Sequence, residues 1–171
     1  MNFIVRVAEP AEYAEAGRVT AGAYRADDLL RRTDRVIDTE YEAELTDAGR
    51  RAREAELLVA VDGGQVLGTV TWCPPRSPWR ELATRPDQAE FRMLSVATAG
   101  RRQGVGRALV EACLDRARAA GMREVLLSSL RQMTAAHALY REFGFVRAPE
   151  LDHSPKPYVD LWAFRLGLRE S

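Results

Sequence analysis

Residues 94–110 read LSVATAGRRQGVGRALV: an apolar run, a turn holding Arg101, Arg102, Gly104 and Gly106, and then a helical pattern. A strand that turns directly into a helix restricts the fold, because the helix must pack back onto the sheet to which the strand belongs. The turn is also an anion site on physical grounds. The first turn of a helix leaves its backbone N–H groups unpaired and carries about half a positive charge, so a phosphate placed there satisfies both. Gly104 and Gly106 lack a Cβ and let the backbone approach phosphate oxygens closely. Two familiar phosphate motifs fit poorly. A P-loop requires Gly-Lys-Ser/Thr, whereas Gly106 is followed by Arg107 and Ala108. A dinucleotide fingerprint requires a third small residue where Leu109 stands.

The rest of the chain alternates strands with helices and has no internal repeat. Residues 2–8 alternate in polarity and are β-branched, and Pro10 and Glu12 then open a helix running through Arg25. Residues 33–54 place Val36, Ile37, Tyr41 and Leu45 on one face, which predicts a second amphipathic helix broken near Gly49. Two apolar runs flank Asp62-Gly63-Gly64 within residues 56–73 and predict an antiparallel hairpin. Residues 73–88 contain four prolines and read as a loop or an edge excursion. A strand over 89–97, a helix ending at Gly121, a strand over 123–129 and a short helix stopped by Gly144 follow. A strand over 145–149, a loop over 149–157 and a closing strand over 158–166 complete the order.

Composition narrows the partners. With 171 residues, 46% of them apolar, the chain suits a single domain over residues 1–171. Lys plus Arg and Asp plus Glu both number 25, and this zero balance argues against nucleic acid as a partner. No segment approaches the roughly 20 apolar residues of a membrane span, and the first residues lack the order of a signal peptide. A cytoplasmic protein without a membrane partner is the expectation. Cys73 and Cys113 have no CxxC partner, so neither a disulfide framework nor a metal site is expected.

The stretch RRQGVGRAL resembles the pyrophosphate-binding motif of the GNAT N-acetyltransferase superfamily, (Arg/Gln)-x-x-Gly-x-(Gly/Ala), with Arg101, Gly104 and Gly106 in the motif positions. The preceding FRMLSV is similar to that family's fourth strand, and ALYREFGF over residues 138–145 to its LYxxxGF block. The order of elements extends the resemblance over nearly the whole chain. It implies a single-domain α/β fold, a mixed and mostly antiparallel sheet of about six to seven strands with helices on both faces. It also implies acetyl-CoA as acyl donor, with Leu94, Ser95 and Val96 lying along the pantetheine. Arg101, Arg102, Gln103, Gly104, Val105, Gly106 and Arg107 would surround the pyrophosphate. Many family members carry an asparagine seven residues before the tyrosine, where this chain has Met133.

The implied chemistry is acetyl transfer to an amine by direct attack in a ternary complex. An unperturbed lysine-like amine has a pKa of about 10.4 and arrives protonated, so its proton must be removed. Tyr140, by its place in the LYxxxGF block, would protonate the leaving thiolate. Glu90, at the entry of the fourth strand, is the candidate base. Some protein-acetylating relatives carry a base twelve residues before the tyrosine, where Ser128 stands here. His137 and His153 read as packing or surface residues. Tyr24, Asp27 and Asp28 occupy the region where relatives bind the acceptor. Trp72 and Trp79 would wall that site, with Glu81 and Asp87 as partners for a cationic amine. The expected acceptor is the primary amine of a small molecule. The alternatives are a protein or peptide acetyltransferase, or a non-catalytic acyl-CoA sensor. A homodimer is left open.

Overall fold

The computed structural model describes residues 2–169. Eight strands form one sheet: β1 (Ile4–Val7), β2 (Glu56–Asp62), β3 (Gln65–Cys73), β4 (Gln88–Val96), β5 (Glu124–Leu130), β6 (Val146–Arg147), β7 (His153–Lys156) and β8 (Val159–Gly167). Their order is β1-β2-β3-β4-β5-β8-β6, with β7 paired to β8 outside that path. Every pairing is antiparallel except that of β4 with β5. That parallel pair requires a crossover, and α4 (Val105–Ala119) supplies it. The other helices are α1 (Tyr13–Ala26), α2 (Thr39–Thr46), α3 (Ala48–Glu54) and α5 (Thr134–Glu142).

The strand pattern explains the layering. Successive β2 residues face opposite sides: Leu58 and Ala60 pack with Val105, Leu109 and Cys113 of α4, while Leu57, Val59 and Val61 pack with Ala16 and Ala48 of α1 and α3. Both faces of β2 are therefore covered, and Leu57 through Val61 are all buried. Tyr140 and Phe145 join the α4 side, whereas Tyr24, Leu30 and Leu45 form a separate cluster with Leu130 and Val159.

Helices α1 and α2 approach unusually closely. A Cβ built on Gly17 would lie 1.9 Å from the Thr46 carbonyl oxygen, so only glycine permits the contact. Arg51 of α3 is fully buried beside it. Its guanidinium donates to the Glu44 and Leu45 carbonyls at the end of α2, at 3.1 and 2.9 Å, and to Thr20 Oγ at 3.2 Å. It thereby supplies donors to acceptors at a helix end, where carbonyls lack intrahelical partners, and burial pulls its pKa down to about 10.

Three elements differ from the sequence expectation. The helix over 33–54 is two helices, and the break falls at Asp47, whose side chain caps α3 by accepting from the Arg50 N–H at 3.0 Å. The loop over 149–157 contains β7, which admits Pro155 because its only strand neighbour is β8. The sheet thus has eight strands rather than six or seven, and the strand over 145–149 shrinks to Val146–Arg147.

Gly17→Ala tests the helix contact. Because backbone must move to admit the methyl group, roughly 2–3 kcal/mol of stability should be lost, lowering Tm by roughly 4–12 °C for a chain of this size. An unchanged melting curve would show that α1 and α2 do not meet there.

Candidate active site at the parting of two strands

Strands β4 and β5 pair from Gln88↔Glu124 only to Phe91↔Leu127. Beyond that point β4 contains a bulge. Thr71 of β3 opposes Arg92 and Thr69 opposes Ser95, so β4 carries one more residue than β3 between the two pairs. Met93 takes a φ of +57° within it. Met93 therefore packs with Tyr24 and Leu29, while Leu94 packs with the α4-side core. The bulged strand turns away from β5, and residues 92–96 have no β5 partner.

A cleft of about 730 Å³ opens at this parting. Residues 94–96, Arg101, Arg102 and residues 104–107 line one wall, and Gln132, Met133, Thr134 and Leu139 line the other. The starts of α4 and α5 thus both border it, and neither Gly104 nor Met133 uses its side chain to cap the helix that follows. Two sets of helix-end N–H groups are available to one anion-bearing ligand. Gly104 is left-handed, with φ of +79°, and a Cβ there would meet nothing within 4 Å. The space it would enter is open.

Tyr140 and Glu90 do not line this cleft, whereas the residues that the sequence assigned to the acyl donor are almost all brought together here. Gln103 is the exception: it does not line the cleft, and its side-chain amide donates to the Ala99 carbonyl at 2.6 Å. Arg101 pairs with Asp27 at 3.6 Å across the cleft mouth. Arg107 is tied to Glu142 and stacks on Phe143 at 5.3 Å. Met133, Thr134 and Ala135, which the motif reading left out of the binding set, belong to the wall because they begin α5. The Thr-Ala-Ala start of that helix was the available signal.

A second, smaller cavity lies beyond the cleft, and Leu94 and Met133 border both. Tyr24, Tyr41, Arg92, Ser128, Ser129 and Tyr140 are among its walls. Tyr140 is 4% exposed, its ring lies among Phe91, Phe145 and Phe164, and its hydroxyl has no hydrogen-bond partner among the described residues. Burial raises its pKa above the usual tyrosine value, so the hydroxyl keeps its proton through the neutral range.

Glu90 has another task than the one expected of it. It is fully buried, and its carboxylate accepts from the Glu81, Leu82 and Ala83 N–H groups at 2.9–3.2 Å. Burial pushes its pKa up against these donors. It pins the loop before β4 and lines neither cleft nor cavity. Trp79 does not form an acceptor wall either. Its indole N–H donates to Glu54 at 2.9 Å, Arg50 and Arg92 lie against its ring, and it is 5% exposed. Trp72 is core. The acidic side chains expected to greet a cationic acceptor are each occupied: Asp27 by Arg101, Asp28 by Arg31, Glu81 by Arg92 and Asp87 by Arg85.

His137 is buried, as expected of a packing residue. Its Nε2 lies 3.1 Å from both Ser129 Oγ and the Leu130 carbonyl. A carbonyl only accepts, so Nε2 carries the proton and cannot draw one from Ser129. Among the described residues no cluster of metal-binding side chains forms, and no helix is long and apolar enough to cross a membrane.

This arrangement places the chain among known proteins. It matches the model of the Acetyltransferase (GNAT) family over residues 23–145 and belongs to that family. Rat N-acetyltransferase family 8 member 3 is 38% identical over 92 residues, covering 54% of this chain and 39% of that protein. The chain thus spans well under half the length of that relative. A GCN5-related N-acetyltransferase from Kribbella flavida is 28% identical, with a TM-score of 0.67 over 97% of this chain and 98% of that one. An acetyltransferase from Salmonella typhimurium, solved with acetyl-CoA, shares the fold at 23% identity, with a TM-score of 0.67 over 100% of this chain and 96% of that one.

Gly104→Val tests the anion wall. A β-branched residue in the left-handed region costs about 1–2 kcal/mol, a fall in Tm of roughly 2–8 °C, and its methyl groups enter the open cleft. CoA binding, read by calorimetry, should weaken at least tenfold in a protein that still melts cooperatively. A folded variant that binds CoA as the parent does would remove the turn from the site.

Proposed function

We propose that the protein is an acetyl-CoA-dependent N-acetyltransferase that acts on the primary amine of a small molecule, by direct attack in a ternary complex. The observation carrying this reading is that one cleft, bordered by two helix starts, shares Leu94 and Met133 as walls with a separate cavity that Tyr140 also lines. The pyrophosphate would lie on the N–H groups around Gly104 and Val105, flanked by Arg101 and Arg102, and the pantetheine along the unpaired edge of residues 94–96. The acceptor would enter from the side of the second cavity.

The amine lone pair attacks the thioester carbonyl carbon, a C–N bond forms and the C–S bond breaks. The carbonyl oxygen gains charge as this happens, and a backbone N–H at the bulge, from Leu94 or Ser95, would stabilise it. The departing sulfur takes the proton of the Tyr140 hydroxyl, which solvent restores. None of the residues around the second cavity is an Asp or Glu, and Glu90 is committed to the loop. The amine proton therefore passes to water rather than to a side chain. The small size of the cavity favours a small acceptor over a polypeptide.

Two outcomes follow. Tyr140→Phe should lower kcat by about 100-fold or more, within the range for general-acid catalysis, while leaving KM for acetyl-CoA nearly unchanged. Wild-type turnover in that variant, measured by free-thiol release, would return Tyr140 to the core. With water as the proton acceptor, only free amine reacts, so kcat/KM for the acceptor should rise about tenfold per pH unit until the amine's own pKa is reached. A plateau beginning near pH 5–7 would instead reveal a side-chain base.

A further inference from the structure

The second cavity holds about 40 Å³, room for a few water-sized groups. Its polar inventory is unusual for a site that must receive a protonated amine. The one formally charged residue on its walls is Arg92, which is a cation. The guanidinium donates to the Trp79 carbonyl at 3.2 Å and meets Glu81 at 3.0 Å, and with five N–H donors it retains others. Glu81 is half-exposed and shared with His153. A second cation, Arg51, stands behind the same wall against Thr20, fully buried and with no carboxylate in salt-bridge range among the described residues. Ser128 Oγ, also on the cavity wall, is buried without a hydrogen-bond partner among the described residues. A buried hydroxyl left unpaired costs free energy, so its natural complement is a ligand atom. The remaining walls are apolar or aromatic except for Ser129, whose hydroxyl is engaged with His137 Nε2 at 3.1 Å.

We infer that Arg92 and Ser128 form a carboxylate-recognition subsite, so that the acceptor is an amine that also bears a carboxylate, an amino-acid-like molecule rather than a simple amine or polyamine. This rests on the acetyl-transfer reading of the site and names the class of its acceptor. The carboxylate would accept from the Arg92 guanidinium and from the Ser128 hydroxyl, a pairing in which both ligand oxygens are engaged and the orphaned hydroxyl is satisfied. The amine, one or two bonds away, would then face the parting at Leu94 and Met133, on the side where the acyl donor lies. A decarboxylated analogue would leave the buried Ser128 hydroxyl unmatched, and would give no acceptor to the Arg92 donors that Glu81 and the Trp79 carbonyl leave over, which is the situation in which binding sites discriminate strongly.

The test compares matched pairs small enough for the cavity: glycine with methylamine, alanine with ethylamine, and serine with ethanolamine. Each is assayed for thiol release from acetyl-CoA, and each is titrated into the protein–CoA complex by calorimetry. The wild type should favour at least one acid over its amine by about tenfold or more in kcat/KM, and Arg92→Met should bring that ratio close to one without moving KM for acetyl-CoA. Should Arg92→Met fail to fold, Ser128→Ala, which removes only an unpartnered hydroxyl, should raise KM for the acid several-fold and leave the amine unaffected. Amines used as well as the acids, or a preference that survives both substitutions, would overturn the subsite and leave acetyl transfer standing. Acid binding that depends on Arg92 with no thiol release from any pair would support the subsite and overturn acetyl transfer. Neither binding nor release of any kind would overturn both.

Discussion

The functional architecture depends on one extra residue in β4. Between Phe91, the last residue that pairs with β5, and Ser95, which is again opposite β3, the strand must absorb a residue that β3 lacks, and Met93 does so at a φ of +57°. That bulge turns β4 away from β5 and exposes a backbone edge in the interior of the sheet. An edge strand offers unpaired N–H and C=O groups to any extended ligand. Here the edge is flanked by two helix starts, so an extended amide chain ending in phosphates matches both the strand and the helices. Met93 and Leu94 also anchor the two sides: one packs with Tyr24 and Leu29, the other with the α4-side core. The parting is held open from both faces rather than left as slack in the sheet.

The charges follow the same division. Cations gather at the cleft, where Arg101 and Arg102 flank the turn, and acidic groups nearby are taken up by arginines that pair with them. Glu90 illustrates why burial and role must be read together. A carboxylate held by three loop N–H groups is a structural anchor, even though burial raises its pKa in the direction useful for a base. Its work is to fix residues 81–83, and those residues in turn position Glu81 beside Arg92. Glu90 thus bears on the Arg92 wall of the second cavity at a distance, without lining it.

Much of this was legible in the sequence, and the boundary is physical. The turn after β4 is a local feature: glycine at a left-handed position, a helix start and adjacent arginines lie within a few residues, and the structure assembles nearly all of them on one wall. The alternation of strands and helices and the covered faces of the sheet follow from periodicity. The misreadings were of non-local partnerships. Nothing near Glu90 indicates that a loop seven to nine residues earlier will wrap its carboxylate. Trp79 reads as a wall of the acceptor site until Glu54 and Arg50 of α3 and Arg92 of β4 are brought against it. The break between α2 and α3 depends on Asp47 preferring to cap rather than to continue a helix, a choice that composition alone leaves balanced against the nearby Gly49. The strand β7 exists because β8 is long enough to receive it, despite Pro155.

Amide hydrogen exchange with and without acetyl-CoA tests the central claim most directly, since it reads which backbone groups the acyl donor covers. Protection should appear at the unpaired stretch of β4 and the turn after it, residues 94–107, and at the start of α5, residues 132–136, while β1, β2 and β7 exchange as before. Protection confined to the far strands, or no change in residues 94–107 at saturating acetyl-CoA, would mean that the parting of β4 and β5 is not where the donor binds.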